Sequence, residues 1–213
     1  MKTFKEFLNE RSAPVTKSEK SNDITLLTKL EQAVYRQDED EVKEALEQNA
    51  NPNYITSVFQ EPLIISAIAK GNLEIVKLFV ENGYDLELKA NDGTTALSQA
   101  IELKETDIAL YLIEVGANVN EEGRVFSPLY YAVRTENFEV AQALVKKGAD
   151  VDFINRAGNP LIVMAIYDNL MDFVDLFLPK ADLTVKNKFD ETPIEIMKKS
   201  ARWEEYKKLL SKR

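Results

Sequence analysis

The side chains with the greatest capacity for chemistry in this sequence are its carboxylates, which are densest at Asp38, Glu39, Asp40 and Glu41. Four adjacent carboxylates could attract a cation. A calcium-binding loop, however, spaces its oxygen ligands over about 12 residues and requires a glycine at its sharp turn, and this run has neither feature. We therefore interpret it as the solvated start of a helix, where the helix dipole favours negative charge.

The sequence contains no histidine and no cysteine. Ser-His-Asp and Cys-His nucleophile systems, zinc sites built on His or Cys, and disulfides are therefore excluded. The glycine motifs that cradle phosphates or form a nucleophile elbow are also missing from the sequence. We predict that the protein is not an enzyme, that it uses no cofactor or metal, and that it resides in a reducing compartment.

Charge is distributed unevenly along the chain. The net charge is −9; residues 1–22 carry +2 and residues 186–213 carry +4, which leaves −15 for residues 23–185. Such a field repels phosphate backbones, so we expect the acidic body not to bind nucleic acid. The sequence has no apolar run long enough to span a membrane and no secretory h-region, so we expect no membrane association.

The elements that carry these side chains recur along the chain. The segments "NANPN" at 49–53, "GYDLE" at 83–87, "GANVN" at 116–120, "GADVD" at 148–152 and "KADLT" at 180–184 each follow an apolar helical run. A shorter helix precedes each run, and its first buried position recurs every 32 to 34 residues. We place these buried positions at Leu30, Ile64, Leu97, Leu129, Ile162 and Ile194.

Glycines and prolines independently support this period. Gly83, Gly116 and Gly148 fall just after a second helix, where a left-handed cap suits glycine. Pro128 and Pro193 fall at the start of a first helix, where the missing N–H costs little. The sequence therefore predicts a helix-turn-helix repeat with a period of about 33 residues.

The repeat resembles that of the ankyrin family. "SPLYYAV" at 127–133 stands where the family has T-P-L-H-x-A-A, and "DGTTALSQA" and "DETPIEI" are looser copies. The resemblance covers residues 24–213, although the histidine of the motif is replaced in every copy. It implies an all-α fold, an ankyrin-repeat solenoid of about six helix-turn-helix repeats that include two capping repeats, forming a domain over 23–213.

The resemblance also implies where a protein partner would bind. Ankyrin arrays generally hold partners with the hairpin tips and the exposed end of each first helix, which together form a concave face. Aromatic side chains flanked by arginine are typical of binding hot spots, yet each ring could equally fold onto the neighbouring repeat. The corresponding positions are Val58, Phe59, Lys70, Asn91, Asp92, Leu103, Arg124, Phe126, Arg134, Arg156, Tyr167 and Phe189.

The first 22 residues form a separate unit in the sequence. Phe4, Phe7 and Leu8 give "MKTFKEFLNE" an amphipathic turn, and residues 9–22 have no apolar periodicity, so we expect a flexible N-terminal tail. The decapeptide resembles the capsid-targeting peptides of internal proteins of T-even-type bacteriophages, which end in an (L/I)-x-E site for the prohead protease. That resemblance implies processing at Leu8, Asn9, Glu10 and Arg11, although Arg11 departs from the small residue usual after the cut.

Three functions remain open on the sequence. The leading hypothesis is a protein-protein interaction module, a monomeric phage-encoded internal protein that is carried in the virion and delivered into the host cytoplasm. There it would bind and inhibit a host bacterial protein, with defence proteins as one candidate class. The alternatives are a structural component of the prohead or virion, and an acidic DNA mimic that inhibits a DNA-binding enzyme.

Overall fold

The computed structural model describes residues 21–120 and 127–212. These residues form twelve α-helices in six consecutive pairs, with isolated β-bridges but no strand among them. The predicted all-α repeat is therefore confirmed. The helices are α1 Ile24–Arg36, α2 Glu39–Glu47, α3 Ile64–Ile68, α4 Leu73–Glu81, α5 Ala96–Glu102, α6 Thr106–Val115, α7 Pro128–Arg134, α8 Phe138–Lys146, α9 Leu161–Tyr167, α10 Met171–Phe177, α11 Pro193–Lys199 and α12 Trp203–Leu210.

Side-chain caps fix where many of these helices begin. The carboxylate of Asp23 accepts hydrogen bonds from the backbone N–H groups of Thr25 and Leu26, so Asp23 caps α1. Pro128 and Pro193 occupy the first turns of α7 and α11, directly after the capping residues Ser127 and Thr192. Asp38 likewise caps α2, and the other three carboxylates of the acidic run, Glu39, Asp40 and Glu41, lie in the first turn of that helix, as the sequence predicts.

A left-handed residue reverses the chain between the two helices of each of the first five pairs. This residue has a φ of 56° to 69° and is a glycine only in the second pair. The other four positions place a Cβ in a conformation that L-residues avoid at a cost of about 1–2 kcal/mol. The five residues are Gln37, Gly71, Lys104, Glu136 and Asn169.

The helices form two layers. The first helices of the pairs, α1, α3, α5, α7, α9 and α11, pack each against the next, and the second helices from α2 to α10 do the same. The chain closes with α12 packed on α11. Each pair therefore covers the apolar side of its neighbour, as expected of a solenoid.

One continuous core lies between the layers. The predicted first-helix positions Leu30, Ile64, Leu97, Leu129 and Ile162 are all buried, whereas Ile194 in the last pair is only half-buried. Ile194 lies in the last pair that the structure describes, so no following pair packs over it there. The ring of Tyr206 from α12 is buried in the same core.

Side-chain oxygens connect the repeats where the chain leaves each second helix. Asn53 Oδ1 accepts from the backbone N–H of Asp85 at 2.7 Å, and Glu87 Oε1 accepts from that of Asn118 at 2.8 Å. The same contact joins Asn120 to Asp150 at 2.8 Å and Asp152 to Asp182 at 2.7 Å. We call this series the inter-repeat ladder; it supplies acceptors for backbone N–H groups in the loops that follow the second helices. The ladder members are Asn53, Asp85, Glu87, Asn118, Asn120, Asp150, Asp152 and Asp182.

None of the helices that the structure describes is long and apolar enough to cross a membrane.

Candidate protein-binding surface

Between the helix pairs the chain projects as hairpin loops, which we call fingers. Finger 1 spans residues 54–63, finger 2 spans 90–94, finger 3 spans 153–161 and finger 4 spans 187–191. Fingers 2 to 4 are closed by bonds between backbone groups four residues apart, for example Asn155 N–H to Asn159 O at 3.0 Å. Finger 1 is one residue longer, because Thr56 N–H bonds to Glu61 O.

Finger 4 lies beside the C-terminal ends of α9 and α11. Asn187 in finger 4 donates from Nδ2 to the hydroxyl of Tyr167 at the end of α9, at 3.1 Å. Glu191 in the same finger forms an ion pair with Lys199 at the end of α11. We call the surface made by the fingers and the C-terminal ends of the first helices the finger–helix surface.

Every predicted binding residue in the described part of the chain is exposed. Val58, Phe59, Leu103, Tyr167 and Phe189 are between 42% and 75% exposed, so these apolar groups point outward and do not cover the adjacent repeat. Arg124 and Phe126 lie outside the described residues, as do the predicted processing residues Leu8, Asn9, Glu10 and Arg11. The remaining exposed predicted residues are Lys70, Asn91, Asp92, Arg134 and Arg156.

Besides Ile24 at the start of α1, three further exposed apolar residues were missed by the sequence analysis. Ile55 and Ile154 occupy equivalent places at the base of fingers 1 and 3, where each forms the isolated bridge that starts the hairpin. Tyr35, near the end of α1, donates from its hydroxyl to Glu31 Oε1 at 3.1 Å. The signal was present in the sequence, since Tyr35 is at the same repeat position as Arg134 and Tyr167.

A groove opens at the C-terminal end of the finger–helix surface. It has a volume of about 370 Å³ and is lined by Ile166, Tyr167, Glu191, Ile196, Lys199 and Ser200. Ile166 and Ile196 form an apolar floor, and Tyr167 forms one wall. The groove can therefore hold an apolar side chain with charged groups at its edge.

The electrostatics of the groove follow from its ion pair. The hydrogen bond from Lys199 lowers the pKa of Glu191, and the same bond raises the pKa of Lys199. In finger 4, Asp190 Oδ1 accepts from Lys186 Nζ at 2.8 Å, which raises the pKa of Lys186. Glu191 is half-buried in this ion pair, whereas Lys199 and Lys186 are exposed.

Several cations on this surface have no such partner. Among the residues that the structure describes, no carboxylate lies within ion-pair distance of Arg134, Arg156 or Lys188. The ammonium of Lys188 sits 5.0 Å from the centroid of the Phe189 ring. Within residues 21–120 and 127–212, no group of three or more acidic side chains could hold a metal ion.

Comparison with known proteins places this geometry in context. The sequence profile for ankyrin repeats in three copies matches residues 30–123 and 67–155. An ankyrin repeat-containing protein of Treponema pallidum is 33% identical over 108 residues, which are 50% of this chain and 36% of that protein. An ankyrin repeat protein of fowlpox virus is 25% identical over 161 residues, 75% of this chain and 38% of its own. The chain thus spans well under half of the length of these relatives.

Solved structures show the same arrangement of helices. The ankyrin repeat domain of Bcl-3 superposes with a TM-score of 0.69 at 24% identity, covering 78% of this chain and 76% of that one. An ankyrin repeat domain from Acinetobacter baumannii superposes with a TM-score of 0.73 at 21% identity, covering 85% of this chain and 94% of that one. A third match is a chain from the complex of the predatory endopeptidase Bd0816 of Bdellovibrio bacteriovorus with the immunity protein Bd3460. It superposes with a TM-score of 0.66 at 29% identity, covering 87% of this chain and 97% of that one.

Proposed function

The chain belongs to the ankyrin-repeat family, whose arrays are protein-protein interaction modules and generally not enzymes, and we propose on that premise that its finger–helix surface holds a protein partner. The observation that carries this proposal is the outward position of Phe59, Leu103, Tyr167 and Phe189 on one surface. Large apolar side chains exposed in soluble proteins commonly mark interaction sites when they group together. In this proposal residues 23–213 form the binding domain.

Charge and shape support a protein over a small molecule as the ligand. The exposed rings are spread over several repeats and are flanked by Arg134 and Arg156, the aromatic–arginine composition of interface hot spots. The complex of Bd0816 with Bd3460 contains a chain similar to this one over nearly its full length, and it joins an endopeptidase to an immunity protein. By analogy, the partner proposed here is an enzyme or effector of a bacterial host that is inhibited when bound.

We propose further that the protein is phage-encoded and reaches that host inside the virion. Support comes from the resemblance of "MKTFKEFLNE" to capsid-targeting peptides, with residues 1–22 as targeting peptide and linker. Viruses do encode arrays of this type, since matching proteins occur in mimivirus and fowlpox virus. A second possible cleavage match, Leu112-Ile113-Glu114, lies within α6, where Leu112 and Ile113 are buried and protected by the fold.

Mapping the N-terminus of the protein from purified particles tests this route. A mature chain that starts at Arg11 supports packaging and cleavage together. Absence of the protein from particles contradicts the phage route. A protein that remains with the emptied capsid after infection would instead be a structural component of the prohead or virion.

The net charge of −15 over residues 23–185 favours one further candidate, a DNA mimic that occupies a DNA-binding enzyme. The two modes of binding respond differently to salt. Contacts made by charge alone weaken steeply as ionic strength rises, whereas contacts anchored by apolar rings persist. Measuring how much partner is captured at increasing salt concentrations therefore distinguishes the two modes of binding.

Partner capture from bacterial lysate with paired variants tests the binding surface itself. Phe59→Ala with Tyr167→Ala removes two exposed rings and should abolish capture. The control Ile24→Ala removes an exposed apolar side chain at the start of α1, outside the four fingers, and should leave capture intact. Undiminished capture by the double variant would show that the partner binds elsewhere.

A further inference from the structure

The finger–helix surface changes character along the array. In its N-terminal half the large exposed apolar side chains are Ile55, Val58 and Phe59 in finger 1 and Leu103 at the end of α5, and the exposed polar ones include Lys70, Asn91 and Asp92. In the C-terminal half cations alternate with aromatic rings. These are Arg134, Arg156, Tyr167, Lys188, Phe189 and Lys199, all exposed.

Within the described part of the chain, two cations of this half are unpaired although the body that carries them is acidic. Residues 23–185 have a net charge of −15, yet Arg134 and Arg156 on this surface have no carboxylate partner among the described residues. A ligand of opposite charge would supply that partner. We infer that the C-terminal half of the finger–helix surface binds an extended, acidic peptide segment of the partner protein. This inference rests on the proposed function and specifies its ligand.

The spacing of the repeats defines the peptide. Arg134, Tyr167 and Lys199 occupy the same position at the ends of α7, α9 and α11, which pack side by side. Neighbouring packed helices lie about 8–10 Å apart, and an extended chain advances about 3.3 Å per residue. One repeat therefore matches about three peptide residues.

The chemistry at those three positions sets the order of side chains in the ligand. Carboxylates pair with Arg134 and Lys199, and between them a large apolar side chain enters the groove over Ile166 and Ile196, beside Tyr167. The peptide thus carries an apolar residue with a carboxylate about three residues to each side. To bind, its second carboxylate competes with Glu191 for Lys199.

Single-stranded nucleic acid is the other polymer that binds cations and aromatic rings in series. The structure favours the peptide. Asp168, Asp190 and Glu191 lie among the cations of this surface, and they repel a ligand that bears a phosphate at every step. A peptide places only a few carboxylates, and it can place them opposite Arg134 and Lys199.

Peptide selection on the immobilised full chain tests the inference, with affinities of the selected peptides measured by fluorescence anisotropy. We expect the selected peptides to be acidic, with an apolar residue flanked by carboxylates at about three-residue spacing. Replacing those carboxylates with amides should weaken binding by about tenfold or more. Selection of neutral or basic peptides, or of none, overturns the inference.

Two charge-matched variants locate the binding. Arg134→Glu with Lys199→Gln should lower the affinity for the selected peptides by about tenfold or more. Lys147→Glu with Lys146→Gln makes the same change in net charge at the end of α8, in the other helix layer, and should change affinity less than about twofold. Equal losses in both variants would mean that binding follows net charge alone, against the inference. Circular dichroism confirms that each variant remains folded.

The remaining outcomes separate this inference from the function on which it rests. If the peptides bind but lose affinity only with Phe59→Ala, the inference is overturned and the proposed function stands. If no substitution on the finger–helix surface alters peptide binding or partner capture, both are wrong. If a short oligothymidine displaces the peptides and binds more tightly through Arg134 and Lys199, the surface is a nucleic-acid site and the peptide inference is overturned.

Discussion

The backbone N–H of Asp85 donates a 2.7 Å hydrogen bond to Oδ1 of Asn53, a residue 32 positions earlier in the chain. Asp85 is itself a member of the inter-repeat ladder, because its carboxylate accepts from the N–H of Glu87 at 3.0 Å. Asn53 thus bonds to the loop of the next repeat, and Asp85 bonds within its own loop. The ladder connects neighbouring repeats by polar contacts outside the apolar core.

Removing one ladder member should destabilise the array. Asn120 accepts from the N–H of Asp150 at 2.8 Å and donates to the carbonyl of Gly148 at 2.9 Å. We expect Asn120→Ala to lower the free energy of unfolding by about 1–2 kcal/mol, since two hydrogen bonds are lost. Urea unfolding followed by circular dichroism measures this. Asn91→Ala, an exposed asparagine in finger 2, is the control and should stay within about 0.5 kcal/mol.

Glycine should have opposite effects at two nearby glutamates. Glu136 has a φ of 56°, so Glu136→Gly relieves left-handed strain and should stabilise the protein by about 0.5–1 kcal/mol. Glu139 lies in the first turn of α8, where glycine should destabilise by about 0.5–1 kcal/mol. Midpoints of urea unfolding compare the two variants. A destabilised Glu136→Gly protein would contradict the assigned backbone conformation.

Two isoleucines test the position of the core. Ile101 is fully buried in α5, whereas Ile24 at the start of α1 is 81% exposed. We expect Ile101→Ala to lower the free energy of unfolding by about 2–5 kcal/mol through lost burial and a cavity. Ile24→Ala should change it by less than about 0.5 kcal/mol. Comparable losses for the two variants would be incompatible with the register of α1 and α5.

A buried tyrosine should make the protein sensitive to alkali. Burial, with smaller contributions from Asp85 and Glu87, raises the pKa of Tyr84 well above its ordinary value of 10.0. The folded state therefore holds this proton more tightly than the unfolded chain. The resulting stability is present below pH 10 and is lost as the pH rises from there toward the folded pKa.

Tyr84→Phe should remove this contribution to the loss of stability at alkaline pH. It should also maintain or raise stability at neutral pH, because the Tyr84 hydroxyl is buried with no hydrogen-bond partner in the described structure. Unfolding midpoints at neutral pH and above pH 10 measure both effects. A variant that is as alkali-sensitive as the original protein would show that Tyr84 does not control the transition.

Sequence periodicity was sufficient to predict the interior of the array. Leu97 and Leu129 are buried where the repeat predicts, because each copy packs on its neighbour in the same way. The exposure of Phe59 and Tyr167 could not be predicted, since a ring on a finger or helix end can turn outward or onto the next repeat without changing the period. The ladder was visible in the sequence only as recurring Asn and Asp residues, and its bonds required the relative placement of adjacent loops.

The additional residue of finger 1, between Thr56 and Glu61, shows how such an array can acquire new recognition. It lies beyond the helices, so it lengthens the hairpin while Ile64 in the next helix keeps its buried place. Insertions at the hairpin tips change the length and shape of the finger without disturbing the packing of the core. A change in hairpin length can therefore alter the recognition surface before any helix has to change.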